Sequence, residues 1–318
     1  MKKVSIMVPC YNEEENVVPM SEALVAQMEA LPQYDYEILF IDNCSQDNTR
    51  PLLREICAKN KKIRAIFNSK NFGQFNSPYY GLCQTTGDCT ISVCCDFQDP
   101  VEMIPKFLAE WEEGYKIVIG IKTSSKENKL MYALRSLYYK TVRKMSKVEQ
   151  IEHFTGFGLY DKSFIQVLRD LKDPTPFIRG IVAELGPKIK KIEYEQAKRR
   201  AGKTSNNFFS LYDAAMLSFT SYTKTVMRAS SFIGIFMCMG SFIGALICLI
   251  IKLANSFLLS GPVAPIILTM TFLTGLVLFF IGFLGEYIMS MNARVMNRPL
   301  VIEEERINFD EVTEKIEK

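Results

Sequence analysis

Short apolar runs recur along the first part of the chain, each closed by a polar cluster and followed by a stretch of helical periodicity. Residues 3–9 (KVSIMVP) lead into YNEEEN and a helix predicted to run to about residue 30. Residues 37–41 (EILFI) end in DNCSQDNT, and residues 63–67 end in NSKNFGQ. A helix to Gln84 then passes through the Gly87-Asp88 turn into residues 91–100 (ISVCCDFQDP). Runs of this length bounded by turn signals suit buried strands, and their alternation with helices predicts βαβ units in a mainly parallel sheet. A helix over residues 101–113 and a strand over 115–120 extend the pattern.

In open α/β sheets, ligands bind outside the carboxyl ends of the strands. The loop that ends residues 91–100 carries Asp96, Gln98 and Asp99, hard oxygen donors of the kind that hold Mg²⁺ or Mn²⁺ beside a phosphate. An Asp before Pro is also a common helix N-cap, so Asp99 has two readings. Asp42, at another strand end, is positioned to accept hydrogen bonds from a base or ribose. Neither a Walker motif nor G-x-G-x-x-G is present, which argues against kinase, ATPase and dehydrogenase chemistry.

The later chain changes character. Residues 129–145 set apolar residues at helical spacing among Lys and Arg, Arg135 included, as in a basic helix lying on an anionic membrane surface or packing on the core. Residues 153–161 are Gly-rich and read as a loop passing close to substrate, with His153 the single histidine. Two stretches, 231–251 and 263–285, contain no charged residue, and each is long enough to cross about 30 Å of hydrocarbon as a helix. Lys224 and Arg228 on one side and Arg294 and Arg298 on the other outweigh the single Lys252 between them. The positive-inside rule therefore predicts a hairpin in the cell membrane with both chain ends cytosolic. The expected organisation is a soluble domain over 1–205, a juxtamembrane helix over 206–229, the hairpin over 230–287 and a cytosolic tail over 288–318.

Charge narrows the partners. The net charge of +3 points away from nucleic acid, whereas residues 122–147 hold eight Lys or Arg against the one acid Glu127, which suits an anionic substrate or lipid. The nine cysteines show no paired spacing and no signal peptide precedes them, so reduced cytosolic thiols are expected.

The order and spacing of VPCYNEE, IDNCSQDNT, SKNFGQ, TGD and DFQDPVE resemble the nucleotide-sugar domain of family 2 glycosyltransferases, in the branch that loads sugars onto polyprenyl phosphates. The resemblance implies a Rossmann-like GT-A α/β domain followed by a two-helix transmembrane hairpin. It also implies an inverting transfer from a nucleoside diphosphate sugar with Mg²⁺ or Mn²⁺, and a homo-oligomer, with a tetramer as the expectation. Pro9, Tyr11, Glu13, Asp42, Lys70 and Asp96 would contact the nucleotide sugar; Asp96 and Gln98 would hold the metal. Asp96, Asp99 and Asp161 are the catalytic candidates; Lys122, Arg135, Arg179, Arg199, Arg200 and Lys203 would meet the acceptor or diphosphate. Two positions depart from the family: Cys94 stands where an acid is usual, and Asp42-Asn43 replaces paired aspartates. Glucose from a UDP-linked donor is the expected sugar. Two rival readings are a processive polysaccharide synthase, whose Gln-x-x-Arg-Trp motif is missing here, and a non-catalytic nucleotide-sugar-binding scaffold suggested by Cys94.

Overall fold

The computed structural model describes residues 1–123, 151–197, 199–201 and 263–309, together with positions 216, 217, 236, 240 and 243. Strands β1 (Lys2–Cys10), β2 (Tyr34–Asp42), β3 (Ile63–Asn68) and β4 (Cys89–Ser92) alternate with helices α1 (Val17–Glu29), α2 (Thr49–Lys59) and α3 (Gly73–Gln84). A 3₁₀ turn at Val101–Met103 opens α4 (Ile104–Glu112), followed by β5 (Ile117–Lys122), β6 (Phe154–Asp161), α5 (Lys162–Leu171), α6 (Ile178–Leu185) and β7 (Ile189–Tyr194). The chain continues in the long helix α7 (Val263–Met296) and β8 (Glu303–Ile307).

The eight strands form one sheet in the order β7-β5-β6-β4-β1-β2-β3-β8. Its centre is parallel, with Ile6 beside both Ile38 and Ile91. The strands read as nearly continuous apolar runs because helices cover both faces. Val4, Ile6, Val8, Ile38 and Phe40 pack with Met20, Leu24, Leu53 and Phe107 on one side. Met7, Leu39, Ile41 and Ile66 pack with Tyr79, Leu82, Phe164 and Leu168 on the other. Each fully buried side chain of this kind contributes about 1.5–3 kcal/mol.

The sheet departs from the expected mainly parallel arrangement. β6 runs antiparallel to both β4 and β5, and β8 runs antiparallel to β3. Residues 154–161 are thus a strand inside the sheet, although their glycines read as a loop. Gly158 is required by crowding: a Cβ there would stand 2.5 Å from the Val118 carbonyl oxygen. Gly composition signals close backbone approach as readily as a turn, and sequence alone does not separate the two.

Helix α7 covers the expected second span and continues to Met296; at 1.5 Å per residue its 34 residues reach about 50 Å. Leu273–Met296 is apolar and long enough to cross a membrane, with mean hydropathy 1.7. The expected first span, 231–251, falls outside the described residues except for Phe236, Gly240 and Ile243, each helical. The basic helix of 129–145 and most of the juxtamembrane segment also fall outside them. Beyond α7 the expected tail includes a strand of the sheet: Asn308 Nδ2 donates to the Cys57 and Ile63 carbonyls at 2.7 Å, and Arg54 pairs with Glu305 at 2.6 Å. Covering the β3 edge in this way removes an open row of backbone donors and acceptors. Among the described residues Cys10, Cys44, Cys57, Cys83, Cys89, Cys94 and Cys95 are free thiols.

Glu37, 2% exposed in β2, accepts from Lys3 Nζ at 2.7 Å, Ser5 Oγ at 2.6 Å and the Thr86 amide at 2.6 Å, with Arg64 at 3.0 Å. Burial by itself raises its carboxyl, but these partners overcome that effect and hold it below the ordinary glutamate value. A lowered folded-state pKa stabilises the protein above the unfolded value of about 4.3 and is lost as pH falls through the folded one. Glu37→Gln is therefore expected to cost about 3 kcal/mol at pH 7, by stranding Lys3 and Arg64, and to flatten the acid side of the stability profile below about pH 4.5. Thermal melts of the purified protein across pH check both outcomes.

Candidate active site

A cleft of about 700 Å³ opens at the carboxyl ends of β1 and β4, bounded by the start of α3 and by β6. The loops beside it hold residues in unusual backbone conformations. Asn12, Cys44 and Phe97 have φ of 55°, 65° and 60°, a left-handed region that costs side-chain-bearing residues of order 1–3 kcal/mol and that surrounding structure must hold in place. The β1–α1 and β2–α2 loops are laced together for this purpose. The Asn12 amide donates to Ser45 Oγ at 2.9 Å, the Glu13 amide to Thr49 Oγ1 at 2.8 Å, and the Gln46 amide to Asn12 Oδ1 at 2.8 Å.

β4 ends at Ser92, earlier than the apolar run implies, and residues 93–99 form the loop that carries the acids. Asp96, 5% exposed, lines the cleft; its Oδ1 accepts from the Gln98 amide at 3.1 Å, and its Oδ2 pairs with Arg199 Nη2 at 2.9 Å. The left-handed turn at Phe97 lets Asp96 and Gln98 both reach the cleft wall. Asp99 has a different task. Its Oδ1 accepts from the Tyr194 hydroxyl at 2.9 Å and its Oδ2 from the Cys94 amide at 3.2 Å, so it ties the loop to itself and to β7. Burial raises the Asp99 carboxyl, and hydrogen bonds from Cys94 and Tyr194 oppose that rise. Glu13, also on the cleft wall, is raised by burial, with Asn16 and Arg199 pulling the other way.

Several other expected residues line the same cleft: Pro9, Tyr11, Lys122 and Arg179. Others lie elsewhere. Asp42 is fully buried beneath the wall, its Oδ2 held by Arg50 Nε at 2.7 Å and by the Ser45 amide at 3.2 Å; Arg50 in turn bonds Glu304 of β8 at 2.9 Å. Lys70 is exposed over the Phe72 ring. Asp161 caps α5 through the Ser163 amide at 2.9 Å and accepts from Trp111 Nε1 at 2.8 Å, which engages it in holding β6, α4 and α5 together. Arg200 lies over the Phe97 ring, and Arg135 and Lys203 fall outside the described residues.

The structure adds residues that sequence reasoning missed. Asn43 lines the cleft, donating to Asn71 Oδ1 at 2.9 Å while accepting from the Phe72 amide at 2.9 Å. An aspartate there would lack the donor for Asn71, so the departure at this position pins the 71–73 loop. That loop leads into Gln74 and Phe75, also on the wall; their motif was visible, but their orientation was not. No sequence signal singles out Tyr194.

The donor set bears on a metal ion. Among the described residues no group of three or more His, Cys, Asp or Glu gathers into a cage. Asp96 and Gln98 supply one carboxylate and one amide oxygen, which fits a cation such as Mg²⁺ that takes one or two carboxylates and completes its shell with water and substrate phosphates. Cys94, a soft neutral ligand, adds nothing for a hard ion.

Residues 5–168, just over half of the chain, match the family model described as Glycosyl transferase family 2. The chain belongs to that family. It is similar to the bactoprenol glucosyl transferase of Shigella phage SfX, 28% identical over 301 residues that cover 93% of this chain and 97% of the relative. It is also similar to the uncharacterized glycosyltransferase YkoT of Bacillus subtilis (strain 168), 30% identical over 304 residues, 93% and 89% of the two chains. Mannosyl-3-phosphoglycerate synthase from Rubrobacter xylanophilus superposes with a TM-score of 0.47 at 15% identity, over 68% of this chain and 71% of that one.

For a glycosyltransferase the cleft's charge pattern is apt, with one acid and one amide on the 96–98 turn sharing the wall with the cations Lys122, Arg179 and Arg199. Tyr194 governs the position of that turn through Asp99. Tyr194→Phe removes one of the bonds that lower the Asp99 carboxyl, so the acid limb of the pH–rate profile for sugar transfer is expected to move to higher pH. Rates measured from pH 5 to 8 check it.

Proposed function

We propose that this glycosyltransferase transfers glucose from a UDP-linked donor to a polyprenyl phosphate at the cytosolic face of the membrane, with inversion at the anomeric carbon. The observation that carries the reading is the convergence of Asp96 and Gln98 with Lys122, Arg179 and Arg199 in one cleft, an arrangement suited to two phosphate-bearing substrates. Relatives named bactoprenol glucosyl transferase, matching nearly end to end, support the acceptor and the sugar. The apolar helix α7 supports a lipid-borne acceptor, and the hairpin of two spans with cytosolic ends is part of the proposal.

The acceptor brings its own nucleophile. A phosphate monoester with a second pKa of about 6 is largely dianionic at neutral pH, so its oxygen needs no strong base. This agrees with a cleft whose other carboxylates already hold partners: Asp99 takes the Cys94 amide and the Tyr194 hydroxyl, and Glu13 takes Asn16 Nδ2 at 2.6 Å. An acceptor oxygen attacks the anomeric carbon while the bond from that carbon to the diphosphate oxygen breaks, and the electron pair leaves with the nucleoside diphosphate. A single in-line displacement inverts the centre. Asp96 and Gln98 are the residues that would hold Mg²⁺ or Mn²⁺, which when bound supplies positive charge to the departing diphosphate. Lys122, Arg179 and Arg199 bind and orient phosphate oxygens, Arg through a planar fork and Lys as a point charge. Positioning and electrostatics of this kind account for most of the barrier reduction expected here.

Asp96→Asn is expected to lower transfer by about 10³-fold or more while the protein still partitions into membranes. Mass spectrometry of the lipid product from UDP-glucose and undecaprenyl phosphate reads the result. Near wild-type product would overturn the assignment of Asp96, and product from a different nucleotide sugar only would overturn the choice of glucose.

A further inference from the structure

Both oxygens of the Asp96 carboxylate are in use, one on the Gln98 amide and the other on Arg199 at 2.9 Å. The Asp96 side chain is 7% exposed and that of Arg199 is 29% exposed, so the pair sits on the boundary between the protein interior and the open cleft. The backbone just after Arg199 is pinned: the Arg200 amide donates to the Asp96 carbonyl at 3.2 Å, and Asn16 Nδ2 donates to the Ala201 carbonyl at 3.4 Å. Arg200 also lies over the Phe97 ring, 5.3 Å from its centroid. Arg199 thus occupies a fixed point on the cleft wall, with its guanidinium on Asp96 at the edge of the open cleft. Glu13 is 4.0 Å away and offers that side chain a second acceptor.

We propose that Arg199 is an exchangeable counter-cation for Asp96, so that divalent metal and nucleoside diphosphate bind cooperatively. This rests on the reading that Asp96 faces the donor diphosphate. A divalent ion arriving alone meets a carboxylate already neutralised by a guanidinium, and Cys94, in the position where an acid would strengthen the site, adds no charge. Metal by itself therefore binds weakly. A diphosphate gives Arg199 a better partner, two oxygens matching its planar fork. As the guanidinium turns to the phosphate it would leave Asp96 Oδ2 open to a divalent ion held with the same diphosphate. Each ligand removes the cost that the other would meet, and linkage makes the enhancement equal in both directions. One side chain serves the donor twice, shielding a buried carboxylate and then gripping the leaving group.

The test uses the full-length protein in detergent. Free Mn²⁺ is measured by electron paramagnetic resonance with and without UDP, and UDP binding by calorimetry with and without Mn²⁺. In the wild type each ligand is expected to tighten the other by at least about tenfold, or about 1.4 kcal/mol of coupling. Arg199→Gln is expected to move the two affinities in opposite directions: Mn²⁺ alone binds about three- to tenfold tighter, UDP binds about tenfold weaker, and the coupling falls toward unity. Arg199→Lys, which keeps the charge without the fork, is expected to fall between and stands in if the glutamine variant does not fold. A merely structural role for Arg199 would weaken both ligands together. Unchanged Mn²⁺ affinity in both variants, or wild-type UDP binding that is the same in EDTA, overturns the proposal while leaving the nucleotide site intact. No UDP binding by the wild type at any Mn²⁺ concentration overturns both the proposal and the reading of the site.

Discussion

Asp99 is 3% exposed, and it joins the amide of Cys94 to the hydroxyl of Tyr194 across the base of the cleft. The 94–99 wall of the cleft depends on that junction. Residues 93–99 leave the sheet before the last apolar residue of their run, and a short loop of this kind has little packing of its own. A buried carboxylate accepting two hydrogen bonds supplies the missing restraint, because leaving either partner or the carboxylate unpaired in that setting would cost several kcal/mol. With the loop closed, Phe97 is held in a left-handed conformation, and Asp96 and Gln98 project side by side. Both oxygens of Asp99, an acid that reads as catalytic by its position in the motif, are engaged by the loop and β7.

The electrostatics follow from that shape. Asp96 faces Arg199 from within a wall that excludes most water, and the remaining cleft cations, Lys122 and Arg179, come from β5 and α6. A site with three cations and few available carboxylates suits substrates that bring their own negative charge, as nucleoside diphosphates and lipid monophosphates do. The loss of an acid at Cys94 shifts the balance further in the same direction.

The segment after α7 matters to the same site. β8 pairs with the β3 edge, and Glu304 reaches Arg50, which holds the buried Asp42 under the cleft wall and the Asn68 carbonyl at 2.6 Å. Asn68 in turn donates to Asn43, the residue that pins the 71–73 loop. The chain thus leaves the catalytic domain, forms a helix apolar enough for a bilayer, and returns to complete the sheet. The segment beyond α7 and the cleft wall share one hydrogen-bonded framework, so residues 303–307 belong to the same sheet as the N-terminal strands.

The alternation of apolar strands with helices, the polar clusters at strand ends and the family resemblance were legible in the residues, because burial on both sheet faces and turn chemistry are local demands. Asp96 and Gln98 stood out because they follow an apolar run, where a parallel strand must deliver its side chain to the crevice; Glu13 and Lys122 came from the family resemblance, and all four line the cleft. Tertiary structure decided what local pattern leaves open. It put Gly158 in a crowded antiparallel strand, assigned Asp161 to a helix cap and Asp99 to a loop clasp, buried Asp42 behind Arg50, and returned residues 303–307 to the sheet. Which oxygen a carboxylate offers, and to whom, depends on partners as far as 254 positions away in sequence, as Arg50 and Glu304 are. Residue type and spacing specify the chemistry available, and only the folded chain specifies which of it remains free for substrate.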